Sequence, residues 1–149
     1  IAHALSKLCR FGGHTSAFYS VAEHSVCVSQ KVLPPLAKAA LLHDAPEAYL
    51  GDVVGPLKQF MAGRYKELEE KCEAAVAEAF NIPPAHFHHP SIKEADERML
   101  ATEHRDLMPE DGARPTWLPI PYGVPVVALE PEAARRYFLH RAKEVGLIE

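Results

Sequence analysis

Apolar residues along the chain recur at intervals of three and four, and strict apolar/polar alternation is nearly absent outside the last third. That period belongs to the α-helix, so the pattern predicts an all-α fold, a compact helical bundle. Residues 1–10 read as a short helix ended by the Gly12-Gly13 pair. Ser20, followed three residues later by Glu23, forms a capping box that starts a second helix at Val21. Pro34-Pro35 stops that helix and opens a third, running from Leu36 to Leu50, with Gly51 as terminator and "GDVVGP" as loop. From Arg64 to Phe80, Tyr65, Leu68, Cys72, Val76 and Ala79 mark an amphipathic helix. "NIPPAHFHHP" reads as a rigid loop, after which Ser91 and Glu94 form a second capping box for a helix reaching Met108. "PTWLPIPYGVPVVALEP" carries five prolines and holds at most a short strand or an extended arm before the closing helix "EAARRYFLHRAKEVG". This proline-rich connector lies too near the end to divide the chain, so residues 1–149 are expected to form a single domain.

Within this pattern some polar residues occupy apolar positions. At about 100° per residue, Leu36, Ala39, Ala40, His43, Glu47 and Leu50 share one face, with Asp44 at its margin. His24 falls beside Val21, Val28 and Val32, and Asp96 among Ile92, Met99, Leu100 and Leu107. Three helices thus each aim an ionisable group at the interior, where an unpaired charge costs on the order of several kcal/mol. Two arrangements supply partners. One is a hydrogen-bonded network of core histidines. The other is a site for one divalent metal held by His24, His43, Asp44 and Asp96, and the adjacent His43-Asp44 pair favours it, because neighbouring side chains serve adjacent coordination positions better than one packed network. Glu103 shares the Asp96 stripe and suits a second-layer acceptor or the partner of a core arginine. Pro46 removes a backbone hydrogen bond at a cost of about 3 kcal/mol, so a kink or helix end is expected beside His43-Asp44. His14 and the His86, His88, His89 group read as loop residues. Trp117 and Tyr122 read as packing or dimer contacts rather than a base-stacking platform.

Composition narrows the choices of function. The chain has 149 residues, 48% of them apolar, enough for a core without disulfides. A net charge of −4 provides no basic field for polymeric nucleic acid. Its three cysteines, Cys9, Cys27 and Cys72, lack C-x-x-C spacing, which suggests a reducing, cytoplasmic setting. No apolar run approaches the ~20 residues of a membrane helix.

The ordered set His24, His43-Asp44 and Asp96, with the words "YSVAEHS", "LLHDAPEAYLGD", "GPLK" and "KEAD", resembles the HD-domain phosphohydrolases. The likeness runs from Arg10 to Asp106 and is nearest to the branch containing bacterial 5'-deoxynucleotidases and small phage-type deoxynucleoside triphosphohydrolases. It implies one catalytic divalent ion (Mn, Co, Fe, Ni or Mg) on the four ligands, Glu47 as an acid/base carboxylate and Asp52 as a second active-site acid. It also implies that Arg10 and Lys58 contact phosphate, and that Phe11 stands where the deoxynucleotidases carry a Trp against the sugar 2' position. The expected activity is hydrolysis of deoxynucleoside monophosphates, with dNTP triphosphohydrolysis as the close variant and a nucleotide substrate as the small-molecule partner. A homo-oligomer, dimer or higher, is expected. A dinuclear HD oxygenase needs further ligands between Asp44 and Asp96 and ranks below. A non-enzymatic metal- or nucleotide-binding module would have no use for Glu47 and Asp52.

Overall fold

The computed structural model describes residues 1–61, 63–109 and 114–149, and these are helical with one isolated backbone bridge, Cys9 to Ser20. The helices are α1 (Ala2–Leu5), α2 (Val21–Ser29), α3 (Ala37–Leu42), α4 (Glu47–Leu50), α5 (Gly55–Met61), α6 (Gly63–Ala79), α7 (Pro84–Phe87), α8 (Pro90–Leu107) and α9 (Pro131–Glu144). The fold is all-α.

At its centre lies α2, packed against α3, α8 and α9. Every residue from Val21 to Ser29 except Cys27 is buried, polar ones included. Such a helix is tolerable only if each polar group finds a partner. Ser25 donates to the Val21 carbonyl and Ser29 to the Ala37 carbonyl, while Glu23 accepts from the backbone N–H of Leu129. His24 turns to the opposite side, toward α8. Ser20 caps α2 as expected, its hydroxyl accepting from the Glu23 N–H at 3.2 Å. Glu23 does not complete the box, because its carboxylate holds the C-terminal arm instead.

Several boundaries differ from the sequence expectation for local reasons. The first helix ends at Leu5 rather than near residue 10, because Leu8 and Arg10 make backbone bonds with Val21 and Tyr19. The stretch 36–50 is two helices. Around Pro46, which has no N–H to give, the chain tightens into three-residue turns, Ala45 bonding to Leu42 and Glu47 to Asp44. "GDVVGP" is loop only up to Val54, since α5 starts at Gly55. The "NIPPAHFHHP" stretch contains the single turn α7. α8 starts at Pro90, pre-set for a first helical position, and its cap is His89, whose ring nitrogen accepts from the Ser91 N–H, so Ser91 is not the cap. α6 forms, yet of its stripe only Val76 is buried, with Ala77 beside it, and Leu68 remains 49% exposed. Residues 119–130 form an extended arm rather than a strand, tied to α8 through Tyr122 N–H to Thr102 Oγ1 and Arg105 to the Tyr122 carbonyl. Tyr122 is a packing residue, with the Arg98 guanidinium 4.2 Å from its ring centre.

Candidate metal centre

His24 from α2 and His43 and Asp44 from the turn between α3 and α4 bring donor atoms within 4.8 Å of one another, and Asp96 from α8 stands against both histidines. His24 Nε2 lies 3.0 Å from Asp96 Oδ1 and 3.6 Å from Asp44 Oδ2, and His43 Nε2 lies 3.4 Å from Asp44 Oδ2 and 3.9 Å from Asp96 Oδ1. Two ligands about 2.1 Å from one ion stand about 3.0 Å apart at right angles and about 3.4 Å apart in a tetrahedron. The His24–Asp96 and His43–Asp44 spacings, 3.0 and 3.4 Å, fall in that range, and the two cross spacings, 3.6 and 3.9 Å, are somewhat longer. His24 is fully buried and His43 nearly so, whereas the Asp96 side chain is 40% exposed and sits at the rim rather than in the interior the stripe suggested.

Neither His24 Nε2 nor His43 Nε2 has a hydrogen-bond partner among the described residues. Asp96 is within reach of His24 Nε2 but not aligned for a bond. The other nitrogen of each ring is committed: His24 Nδ1 contacts Glu103 Oε1 at 2.5 Å and His43 Nδ1 contacts the Ala40 carbonyl at 2.8 Å. Donation from Nδ1 to a carboxylate or a carbonyl leaves a lone pair on Nε2, the nitrogen beside Asp44 and Asp96. This donor set, two neutral imidazoles and two carboxylates, suits a borderline divalent cation.

Glu103 organises the layer behind these ligands. Fully buried on α8, it accepts from His24, from Tyr19 Oη at 3.0 Å and from Arg10 Nε at 3.1 Å. Both roles read for it from sequence are present in this one carboxylate. Arg10 also reaches Asp44 at 3.5 Å and so links the second layer to a candidate ligand. Burial alone would raise the Glu103 carboxyl, but Arg10 and His24 hold it below the usual range. Burial and Arg10 disfavour charge on His24, yet Glu103 and Asp96 outweigh them and bring it up to about 10. These carboxylates thus favour a positive charge at Nε2, and a bound cation would take the place of the proton there. Tyr19 was not singled out in the sequence; its only signal is its place just before the capping Ser20.

Beside the cluster opens a cleft of about 500 Å³. Arg10, Phe11, Glu47, Asp52 and Lys58 all line it, together with Asp44 and Asp96. Phe11 is held at φ 55°, a left-handed conformation that costs a bulky residue about 1–3 kcal/mol and turns the chain at the cleft. Glu47 opens α4; its Oε2 is buried with no partner among the described residues, and its Oε1 lies 3.5 Å from Lys58 Nζ. Burial, with Asp44 and Asp52 adding negative charge, pushes the Glu47 carboxyl up to about 8. Burial and Asp44 raise Asp52 as well, against Arg10 and Lys58. Lys58 is shared with Glu69 at 2.9 Å. His88 pairs with Glu73 at 3.0 Å and His89 caps α8. Trp117 is 69% exposed and lines the cleft, so of the two roles read for it from sequence, packing or a dimer contact, interior packing does not hold.

The fold and site define an all-α protein with a buried His/Asp cluster at the foot of an open cleft. No family model matches the chain. It is 42% identical over 152 aligned positions to the uncharacterized protein YfdR of Escherichia coli K12, an alignment covering 98% of this chain and 82% of the relative. It is also 41% identical over 92 positions to an uncharacterized protein of Rhodobacter capsulatus, covering 56% of this chain and 47% of that one. The chain belongs to the YfdR family. Among the described residues no helix is long and apolar enough to cross a membrane.

Proposed function

We propose that the protein is a metal-dependent phosphohydrolase of the HD-domain type acting on nucleotides, most simply a 5'-nucleotidase on deoxynucleoside monophosphates. The observation that carries this reading is the pair of buried, unpartnered Nε2 atoms flanked by Asp44 and Asp96 at metal-ligand spacing, each ring fixed through its Nδ1. His24, His43, Asp44 and Asp96 would hold the ion, which supplies water activation and polarisation of the phosphoryl group. The ordered resemblance to HD-domain phosphohydrolases supports the same assignment.

The chain's own residues divide the remaining work. Arg10 and Lys58 place positive charge on the cleft wall, where the phosphoryl oxygens bind. Glu47, with one oxygen free and the other near Lys58, takes the proton of the attacking water as its oxygen bonds to phosphorus. The P–O ester bond breaks, and Asp52, on the same wall, returns a proton to the sugar oxygen. Phe11 packs against the sugar.

The test is an assay of protein stripped with chelator and reloaded with Mn, Co or Mg, against nucleoside mono- and triphosphates, with phosphate and triphosphate measured separately. Release of phosphate from monophosphates is expected. Triphosphate release from dNTPs would assign the close variant, and metal-independent turnover would overturn the mechanism.

A further inference from the structure

We infer that Trp117 is the platform on which the substrate's base stacks, so that the cleft selects phosphate esters bearing a flat aromatic ring over phosphate esters in general. This rests on the phosphohydrolase reading of the same cleft and goes beyond it by naming what recognises the leaving group. Trp117 is the chain's only tryptophan.

Most charged groups of the cleft face an opposite charge: Arg10 lies 3.5 Å from Asp44, Lys58 3.5 Å from Glu47, and Asp96 3.0 Å from His24, with Asp52 the remaining acid. The rest of the lining, Phe11, Val53, Val54, Pro56, Leu100 and Trp117, is the apolar wall. A ligand with a phosphate at the cluster has only this wall for its remainder. An apolar wall accepts a nucleobase, and a rigid exposed indole stacks on any base, since every base has a π face.

The backbone that carries Trp117 is held in place. Its segment is a turn closed by Leu118 N–H to the Pro115 carbonyl at 3.2 Å, with the Leu118 side chain buried beneath. Arg114 donates to the carbonyls of Leu118 and Pro119, and Arg98 from α8 donates to the Ile120 carbonyl at 3.3 Å. Pro115, Pro119 and Pro121 stiffen the same stretch. α8 therefore carries both the candidate ligand Asp96 and the anchor for the indole. The indole stays 69% exposed although its neighbour Leu118 is buried.

Because there is one tryptophan, indole emission reports this position alone. The experiment titrates the full chain carrying Glu47→Gln, to suppress turnover, with dAMP and with 2-deoxyribose 5-phosphate, which differ only in the base. In parallel, kcat/KM for the two esters is measured in otherwise wild-type, Trp117→Ala and Trp117→Phe proteins. Saturable quenching by dAMP but not by the sugar phosphate is expected, with the dAMP to sugar-phosphate ratio of kcat/KM falling about tenfold in Trp117→Ala and largely restored in Trp117→Phe. Unchanged emission and an unchanged ratio, in a protein that hydrolyses dAMP, would overturn the stacking role and leave the hydrolase reading standing. Emission that follows protein concentration instead of dAMP would show that a second copy covers the indole, and would also overturn it. If no phosphate ester is hydrolysed with any metal, the hydrolase reading fails; dAMP quenching would still support the platform, and its absence would end it.

Discussion

His43 and Asp44 are adjacent residues with different neighbours. His43 leans on the Ala40 carbonyl, whereas Asp44 faces Arg10 and both histidines. Arg10 retains Glu103 when Asp44 is removed, so Asp44→Ala is expected to abolish bound metal and hydrolysis together while circular dichroism stays helical; full activity in that metal-free variant would sink the mechanism. Glu47→Ala should behave differently. It makes no contact that holds the cluster together, so metal content is expected to persist while turnover falls about 10²-fold or more. Equal metal loss in the two variants would show Glu47 to be a ligand. Glu103 tests the layer behind: Glu103→Gln keeps the shape but weakens the hold on the His24 tautomer, and metal affinity by calorimetry is expected to drop about 10- to 100-fold.

Between α3 and α4 the backbone gives up regular helical bonding, and this break is what allows two adjacent residues to serve one site. A proline in mid-pattern explains it. At the far end of α4, Gly51 sits at φ 81° and ψ 159°, a region that side chains other than glycine's avoid, with nothing within 4 Å of where a Cβ would stand. Gly51→Ala therefore meets no clash and is expected to cost about 1–3 kcal/mol through backbone strain alone, measurable as a lower denaturant midpoint at unchanged slope. Because Asp52 follows directly, turnover should fall too. A variant as stable as wild type would mean that the loop readjusts freely.

The candidate metal ligands come from α2, the α3–α4 turn and α8, so at the scale of the molecule an ion would fasten the central helix to two of the elements around it. A ligand bound only by the folded state stabilises it by about 2.7 kcal/mol at a hundred times its dissociation constant. Reloading stripped protein with Mn or Co is thus expected to raise Tm by several degrees in wild type and to leave Asp44→Ala unmoved. An identical melt with and without metal in wild type would argue against a site spanning these elements.

Much of the candidate site was legible in the chain itself. The helical period placed His24 and His43 on buried faces, Ser20 announced the start of α2, and Pro46 announced the break. Each is a local property, set by spacing or by the backbone of one or two residues. What periodicity does not carry is the identity of the group facing a stripe. Glu103 meets Arg10 and His24 across 93 and 79 residues of chain, so its gathering of three donors exists only once α8 packs on α2. Glu23 is taken from its capping box by Leu129, 106 residues away. Trp117 reads from sequence as a packing or dimer-contact residue, since a large indole normally gains by burial; in the fold Leu118 is buried beside it, the arm is tied to α8 through Arg98, and the indole stays on the cleft. The sequence by itself determined the helices and which polar groups turn inward, because those follow from local geometry. Only the tertiary structure decided which of them meet and what stands over the cleft, because those depend on contacts between segments far apart in the chain.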